Sequence, residues 1–396
     1  MDVDPSGALT YHRFPRPMTN PPAPASVLID ASALSSVAAT SGIGTYVRNL
    51  LASLATDPGH GLTINALVAP EVTLDARIGR RTIHRWIKTR ARAEVIEHAV
   101  KVPMDARRWR RTGEVFHTPG FHAPWGIRSP SVQTLLDLIP LAVDEPDLMH
   151  LRKRWQRFGP RYRDADAVIA ISRHAADEGI RLLGLDPKRI HVVHLGVDPM
   201  FTPGVTTDAK PSVPDQPPHL LMVAAYSRRK GFAEAFAVVS ALADAGYPHT
   251  LKVVGQVHDF ARDELDRLQH GAGRPERIEL LGYVADLPAL YQAADVVLVS
   301  SRCEGFGLPA VEAMACGAPV VAFANSAISE VVAGGGVLVD DGDVGAMVKA
   351  VRTLLDNADA AQEWRHKGLD RAAQFTWAGS AARHADVYRA VAERRG

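Results

Sequence analysis

The chain has 396 residues, 46% of them hydrophobic and 22% charged, which excludes a fibre or a disordered polymer and suits two ordinary domains better than one. Lys and Arg number 45 against 44 Asp and Glu, a net charge of +1, so the molecule as a whole is no nucleic-acid binder by charge. No apolar run reaches the roughly 18–20 residues that cross a bilayer, and two cysteines, Cys303 and Cys316, are too few for a disulfide framework. Both read as small buried residues in a reducing, cytoplasmic setting.

Residues 1–25 are rich in proline and carry no apolar core of a secretory signal; they read as a disordered lead-in. From there short apolar runs alternate with helical stretches. In the first half the strand-like runs are 27–30, 63–68, 114–117, 131–136, 167–171 and 190–194. In the second half they are 219–225, 251–255, 278–282, 295–300 and 319–323. They are continuously apolar, the pattern of parallel strands covered on both faces by helices, and 45–55, 233–245 and 309–315 supply such helices. The segment 198–218, rich in Pro, Asp and Thr, has no periodicity and reads as a linker. The expected fold is α/β, two doubly wound Rossmann-like domains, 26–197 and 219–376, facing an interdomain cleft. A final helix within 377–396 closes the chain and packs back on the first domain.

The densest signal runs from Ser301 to Val321, SRCEGFGLPAVEAMACGAPVV. It follows a buried strand and opens a helix at Pro309, a residue favoured in the first helical turn. A Gly-Phe-Gly loop at a helix start presents open backbone N–H groups, which suit anions and hydroxyls. Glu304 in the loop and Glu312 eight positions on place two carboxylates about one polyhydroxylated ligand. Arg228-Arg229-Lys230-Gly231 follows the first strand of the second half and supplies cations. Gly42-x-Gly44 is a weaker glycine signal, read as a close-approach loop; Val47 stands where a dinucleotide fingerprint needs its third Gly or Ala.

Glu304-x7-Glu312 within EGFGLPAVEAMACGAPVVA closely resembles the donor-binding motif of glycosyltransferase family 4, retaining enzymes of GT-B fold. The likeness extends to RRKG, to 280–301, and upstream to SGIGTYVRNLLASL (41–54), TLLDLIP (134–140) and 165–199, so that it spans about residues 27–392. The resemblance implies a hexosyltransferase whose co-substrate is a nucleoside diphosphate sugar, with no metal and no other cofactor. Arg229 and Lys230 would neutralise the leaving diphosphate, and Glu304 would hold a donor-sugar hydroxyl. Phe306 and Gly307 would meet the sugar through backbone amides, with Gly305 and Leu308 beside them. Glu312 would grip the ribose, the backbone at Val284 would meet the base, and Gly44 would lie near the phosphates. Attack comes from the front face, the acceptor hydroxyl giving its proton to the departing phosphate, so no protein nucleophile is assigned.

The chain departs from the family at Leu136-Asp137, where many relatives have His-Asp. Asp137 remains an acceptor-side residue, and His122 is a second candidate to reach the cleft. The first-domain pattern looks like the mannosyltransferase-like branch, which favours GDP-mannose; UDP-sugars and dTDP-rhamnose stay open. The acceptor would be a glycan on a lipid carrier, a polysaccharide end or a small molecule. Between residues 71 and 111, 12 Lys and Arg face 5 Asp and Glu. Within it, 76–92 places Ile83, Trp86 and Ile87 on one helical face among basic residues. Such a helix suits an anionic membrane surface on the cytoplasmic side, a cover that draws in an anionic acceptor, or a plain solvated face. Two competing readings are an NAD-dependent Rossmann enzyme, whose glycine fingerprint VLIDASALS lacks, and a non-catalytic sugar-nucleotide-binding subunit, which would have lost Glu304, Lys230 or Glu312.

Overall fold

The computed structural model describes residues 25–35, 42–68, 83–85, 115–120, 130–145, 148–204, 218–257 and 259–394. Two parallel sheets organise them. The first holds β1 (Ser26–Asp30), β2 (Thr63–Val68), β3 (Ile83–Arg85), β4 (Val115–Thr118), β5 (Ser131–Leu135), β6 (Ala167–Ala170) and β7 (Ile190–Val192), in the order β3-β2-β1-β4-β5-β6-β7. The second holds β8 (His219–Val223), β9 (Thr250–Val254), β10 (Ile278–Gly282), β11 (Val296–Val299), β12 (Val320–Ala324) and β13 (Val337–Asp340), in the order β10-β9-β8-β11-β12-β13. Every residue of β4, β6 and β11 is buried, as strands covered on both faces must be. Each sheet grows outward in both directions from its first strand. The order therefore reverses between β1 and β4 and between β8 and β11, and ligands of such sheets bind beyond the carboxyl ends of the strands at that reversal.

The helices that matter for the site are α1 (Gly42–Thr56), α2 (Arg173–Leu183), α3 (Phe232–Asp244), α4 (Leu287–Ala293), α5 (Leu308–Ala315), α6 (Ser326–Val332) and α7 (Trp377–Glu393). Two strands were not expected from the sequence. Ile83–Arg85 pairs with β2, Ala66 opposite Ile83, at the edge of the first sheet. These three residues are therefore extended and not part of the helix that the spacing of Ile83, Trp86 and Ile87 suggests; a three-residue edge strand is decided by its partner's backbone, not by its own periodicity. The rest of 76–92 lies outside the described residues. β13 is short and only half-buried, and it too is an edge.

The chain returns to the first domain at its end. Val197 bridges Thr376, and Thr376 caps α7 through its side chain. α7 buries Trp377, Ala381, Ala385, Tyr388 and Val391. A chain of buried polar groups also fixes it. The Tyr388 hydroxyl meets His117 Nδ1 at 2.7 Å, His117 Nε2 meets Thr134 Oγ1 at 2.8 Å, and Thr134 meets the Tyr46 hydroxyl at 2.8 Å. Tyr46 meets His384 Nε2 at 2.7 Å, and His384 Nδ1 meets the Ser380 carbonyl at 2.8 Å. A carbonyl only accepts, so His384 carries its proton on Nδ1 and receives the Tyr46 O–H at Nε2. Burial holds His117 and His384 well below the usual histidine range, and the neutral rings then fix one donor direction along the whole row, from Tyr388 to Ser380.

Candidate active site

The basic turn after β8 is built to reach β11. Arg228–Lys230 form one 3-10 turn that Gly231 ends at φ 69. A Cβ on Gly231 would stand 1.9 Å from the Ser300 carbonyl oxygen, so only glycine allows both the left-handed backbone and this approach. The Arg302 N–H donates to the Arg229 carbonyl at 2.8 Å, and Ser300 Oγ donates to the Lys230 carbonyl at 3.2 Å. The two loops at the switch point are thus stitched together by one backbone bond and one bond from the Ser300 hydroxyl.

That stitching delivers Lys230 Nζ onto Glu304 Oε1 and places Arg229 Nη1 3.5 Å from Glu304 Oε2. Arg229 also donates to the Cys303 carbonyl at 3.0 Å. Glu304 is buried. Burial alone would push its carboxyl up, but Lys230 and Arg229 outweigh it and hold the group below the usual carboxylate range. Its backbone N–H donates to Ser326 Oγ at 2.9 Å. Ser326, at φ 42, is the one non-glycine residue with positive φ among the described residues, a backbone strain located where the loop is held. Gly307, at φ 98, precedes α5, and a Cβ there would fall 2.4 Å from Ile328 Cδ1.

Glu312 lies on α5 at the other flank, where the Tyr291 hydroxyl of α4 donates to Oε2 at 3.1 Å. Burial pushes this carboxyl up to about 7, against the Tyr291 hydrogen bond and with the nearby Asp198 adding to the rise. The two glutamates of the motif therefore have opposite characters. Glu304 is held ionised between cations, and Glu312 is poised to titrate near neutrality.

Asp137 arrives from the first domain. Its Oδ1 accepts from Ile139 N–H at 3.1 Å, burial raises its carboxyl, and Arg229, Lys230 and Glu304 all act on it electrostatically. A pocket lined by Asp137, His174, Glu178, Cys303 and Glu304 lies where the two domains meet. Gly305 makes the approach possible, since a Cβ there would stand 2.6 Å from the Leu136 carbonyl oxygen and 2.9 Å from Asp137 Cβ.

The structure thus brings Arg229, Lys230, Glu304, Gly305 and Asp137 together. Phe306 turns its side chain into the core, facing His194 and Phe375 with ring centroids 6.0 and 5.6 Å away. Val284 and Leu308 are partly buried against the same core. Gly44 is buried in the first turn of α1 rather than in a loop, a correction to the sequence reading: the apolar face of Tyr46, Val47, Leu50 and Leu51 carries the helix back to Gly42. His122 lies outside the described residues. Sequence reasoning did not single out Ser326, Tyr291, Ser172 and Glu330: Ser172 and Tyr291 lie inside the matching segments 165–199 and 280–301, but what each of the four does depends on a partner from another element. Among the described residues no group of three or more His, Cys, Asp or Glu side chains converges as a metal site, and no helix is long and apolar enough to cross a membrane.

Two doubly wound sheets whose reversal points share one groove define a two-domain α/β protein of GT-B architecture. Two family models match it, one on each side of the joint. "Glycosyltransferase Family 4" matches residues 40–201 and "Glycosyl transferases group 1" matches residues 206–371. The chain belongs to the family-4 type of glycosyltransferases. Among its relatives, D-inositol 3-phosphate glycosyltransferase 1 of Catenulispora acidiphila is 34% identical over 243 residues, and the chain spans 58% of that relative's length and 58% of its own in the match. Sucrose-phosphate synthase of Thermosynechococcus elongatus shares the fold with a TM-score of 0.73 at 21% identity, over 92% of this chain and 98% of the other. Anabaena HepE in complex with UDP-glucose does so with a TM-score of 0.64 at 18% identity, over 93% and 99%.

Proposed function

We propose that this chain transfers a hexose from a nucleoside diphosphate sugar to an acceptor hydroxyl, with retention of anomeric configuration. The observation that carries the reading is the contact of Lys230 and Arg229 with Glu304 at the switch point of the second sheet, under Asp137 of the first. An ammonium has three donors, so Lys230 can keep Glu304 and still donate to a diphosphate oxygen. As the glycosidic bond breaks, negative charge grows on the leaving diphosphate and positive charge on the anomeric carbon. Fixed cations at the first and an ionised carboxylate beside the second stabilise both without reorganising at the moment of reaction. The acceptor hydroxyl attacks from the leaving-group face and passes its proton to a departing phosphate oxygen, which leaves Glu304 as a sugar-hydroxyl acceptor rather than a nucleophile. Glu312 and the backbone at Val284 would hold ribose and base, and Gly307 with Leu308 would offer the open amides of α5 to the sugar. The protein cations do the work a divalent ion does in metal-dependent transferases.

Base contacts made by backbone leave the donor to experiment. The first-domain pattern favours GDP-mannose. Fold neighbours solved with UDP-glucose put UDP-sugars beside it, and relatives named for D-inositol 3-phosphate make that cyclitol phosphate the first acceptor to try. The test is nucleotide release from GDP-mannose, UDP-glucose, UDP-N-acetylglucosamine and dTDP-rhamnose, each with and without D-inositol 3-phosphate. Binding of a donor without turnover under any acceptor would favour a non-catalytic sugar-nucleotide-binding subunit. Absence of binding to all four would refute the reading.

A further inference from the structure

Glu330 belongs to α6 of the second domain, yet its carboxylate is satisfied by the first. Oε2 accepts from the backbone N–H of Arg173 at 2.8 Å and of His174 at 3.4 Å, and Oε1 lies 2.6 Å from His194 Nε2. Arg173 and His174 open α2, an eleven-residue helix whose first N–H groups have no partner within the helix and carry its positive end. The next N–H of that turn, Ala175, is taken by the N-cap Ser172 at 3.0 Å. The same Ser172 hydroxyl donates to the Gly305 carbonyl at 2.8 Å. The start of α2 is therefore gripped twice from the second domain, once by Glu330 and once by the loop that carries Glu304.

The remaining contacts tie this grip to the joint between the domains. The His194 ring faces Phe306 of that loop and, edge-on at 5.6 Å, Phe375 beside the Val197–Thr376 bridge. Behind Glu330, Arg371 donates to the Glu330 carbonyl at 2.6 Å and to the Val331 carbonyl at 3.0 Å, so the end of α6 is braced on its own side. The His194 and Glu330 side chains are 28% and 20% exposed, which weakens solvent screening relative to a surface pair. Burial alone would raise the Glu330 carboxyl, and His194 with the two amides lowers it below the usual range. Arg229, Lys230 and the Glu304 carboxylate make none of these contacts, while His174 and Gly305 also line the pocket that holds Asp137 and Glu304.

We propose that Glu330 is a positioning residue: an interdomain latch that captures the N-terminus of α2 and His194, and so sets how closely the first domain, with Asp137, approaches the loop of Glu304 to Gly307. The latch stands on its contacts alone; its kinetic consequence rests on the transferase reading above.

The test compares the full chain with its Glu330→Ala and Glu330→Gln variants by amide hydrogen exchange, small-angle scattering, thermal unfolding, and turnover of the nucleotide sugars named above. In Glu330→Ala, exchange at Arg173 and His174 should quicken by about ten-fold or more and kcat should fall about ten-fold, with the donor KM within about two-fold, as expected for losing charge-assisted bonds remote from the donor. The radius of gyration should rise while the thermal midpoint stays near that of the parent. Glu330→Gln keeps an oxygen for the amides but no charge, so it should fall between the two, and it carries the test should the alanine variant fail to fold. Unchanged exchange at α2 overturns the latch. Faster exchange with an unchanged radius of gyration makes Glu330 a local helix cap and also overturns it. Faster exchange with unchanged kcat removes the positioning role, and a raised KM at constant kcat assigns Glu330 to donor binding instead. Should the parent turn over no nucleotide sugar, the transferase reading fails, and exchange and scattering still decide the latch.

Discussion

Lys230→Met probes the centre of the argument because it separates two effects that one residue carries. The side chains of Lys230 and Glu304 are 14% and 12% exposed, so their pairing belongs with buried ion pairs, where removal of one partner typically costs about 3–5 kcal/mol. Arg229, 3.5 Å from the other carboxylate oxygen, remains and takes up part of the loss; the expected destabilisation is roughly 2–3 kcal/mol. Without Lys230, the effect of burial on Glu304 loses its strongest opponent, and the carboxyl moves up. Catalysis should suffer more. A preorganised group aimed at charge that develops in the transition state is worth about 100- to 1,000-fold in kcat. The assay is nucleotide release at saturating donor, alongside thermal unfolding. The double variant Lys230→Met, Glu304→Gln is the control: it removes the buried carboxylate that has lost its ammonium and leaves Arg229 its bond to the Cys303 carbonyl, so it should regain part of the stability and none of the activity. Wild-type turnover in the single variant, or recovery of turnover in the double one, refutes the role assigned to Lys230.

Gly305→Ala should lower transfer strongly while the thermal midpoint changes little, because the new Cβ meets the Leu136 carbonyl across the domain joint rather than the core of either domain; turnover equal to that of the parent would show that the close approach is not required. Glu312 is raised by burial to about 7 from an unfolded value of 4.5, so its share of stability is complete below about pH 4.5 and is lost as pH rises through 7, a difference of about 3 kcal/mol. Glu312→Gln should therefore gain on the parent in thermal midpoint between pH 5 and pH 8, and parallel pH profiles would contradict this. His384 has the opposite sign. Lowered by burial to about 4, it contributes stability above about pH 6.5 that is lost as pH falls through 4. Tyr46→Phe leaves the buried His384 Nε2 without its donor and should cost about 1–3 kcal/mol in unfolding free energy with kcat unchanged; a neutral effect on stability would mean that the buried row does not hold α7 in place.

Much of this protein was legible from its residues in order. Continuous apolar runs such as 167–171 and 295–300 mark strands buried on both faces, and that burial is a property of the run itself. The expected strands β8 to β12 fall within a residue or two of their observed limits. EGFGLP after an apolar run announces a loop feeding a helix, and RRKG announces a basic turn. What sequence order could not reveal is anything decided between segments far apart. The strand at Ile83–Arg85 exists because β2 offers it a ladder, and its own spacing points to a helix. Gly231 must be glycine because the Ser300 carbonyl lies where a Cβ would be, 69 positions away in sequence.

Periodicity and motif spacing are local, so the residue order alone carries the two-domain α/β architecture, the family and the acidic and basic residues of the site. It takes the packed molecule to hold Glu304 ionised while Glu312 titrates near neutrality, to bring Asp137 to the cations from the other domain, and to carry Glu330 across to α2. Burial, electrostatic pairing and backbone approach are sums over neighbours in space, and the chain order does not specify those neighbours until the two sheets have met.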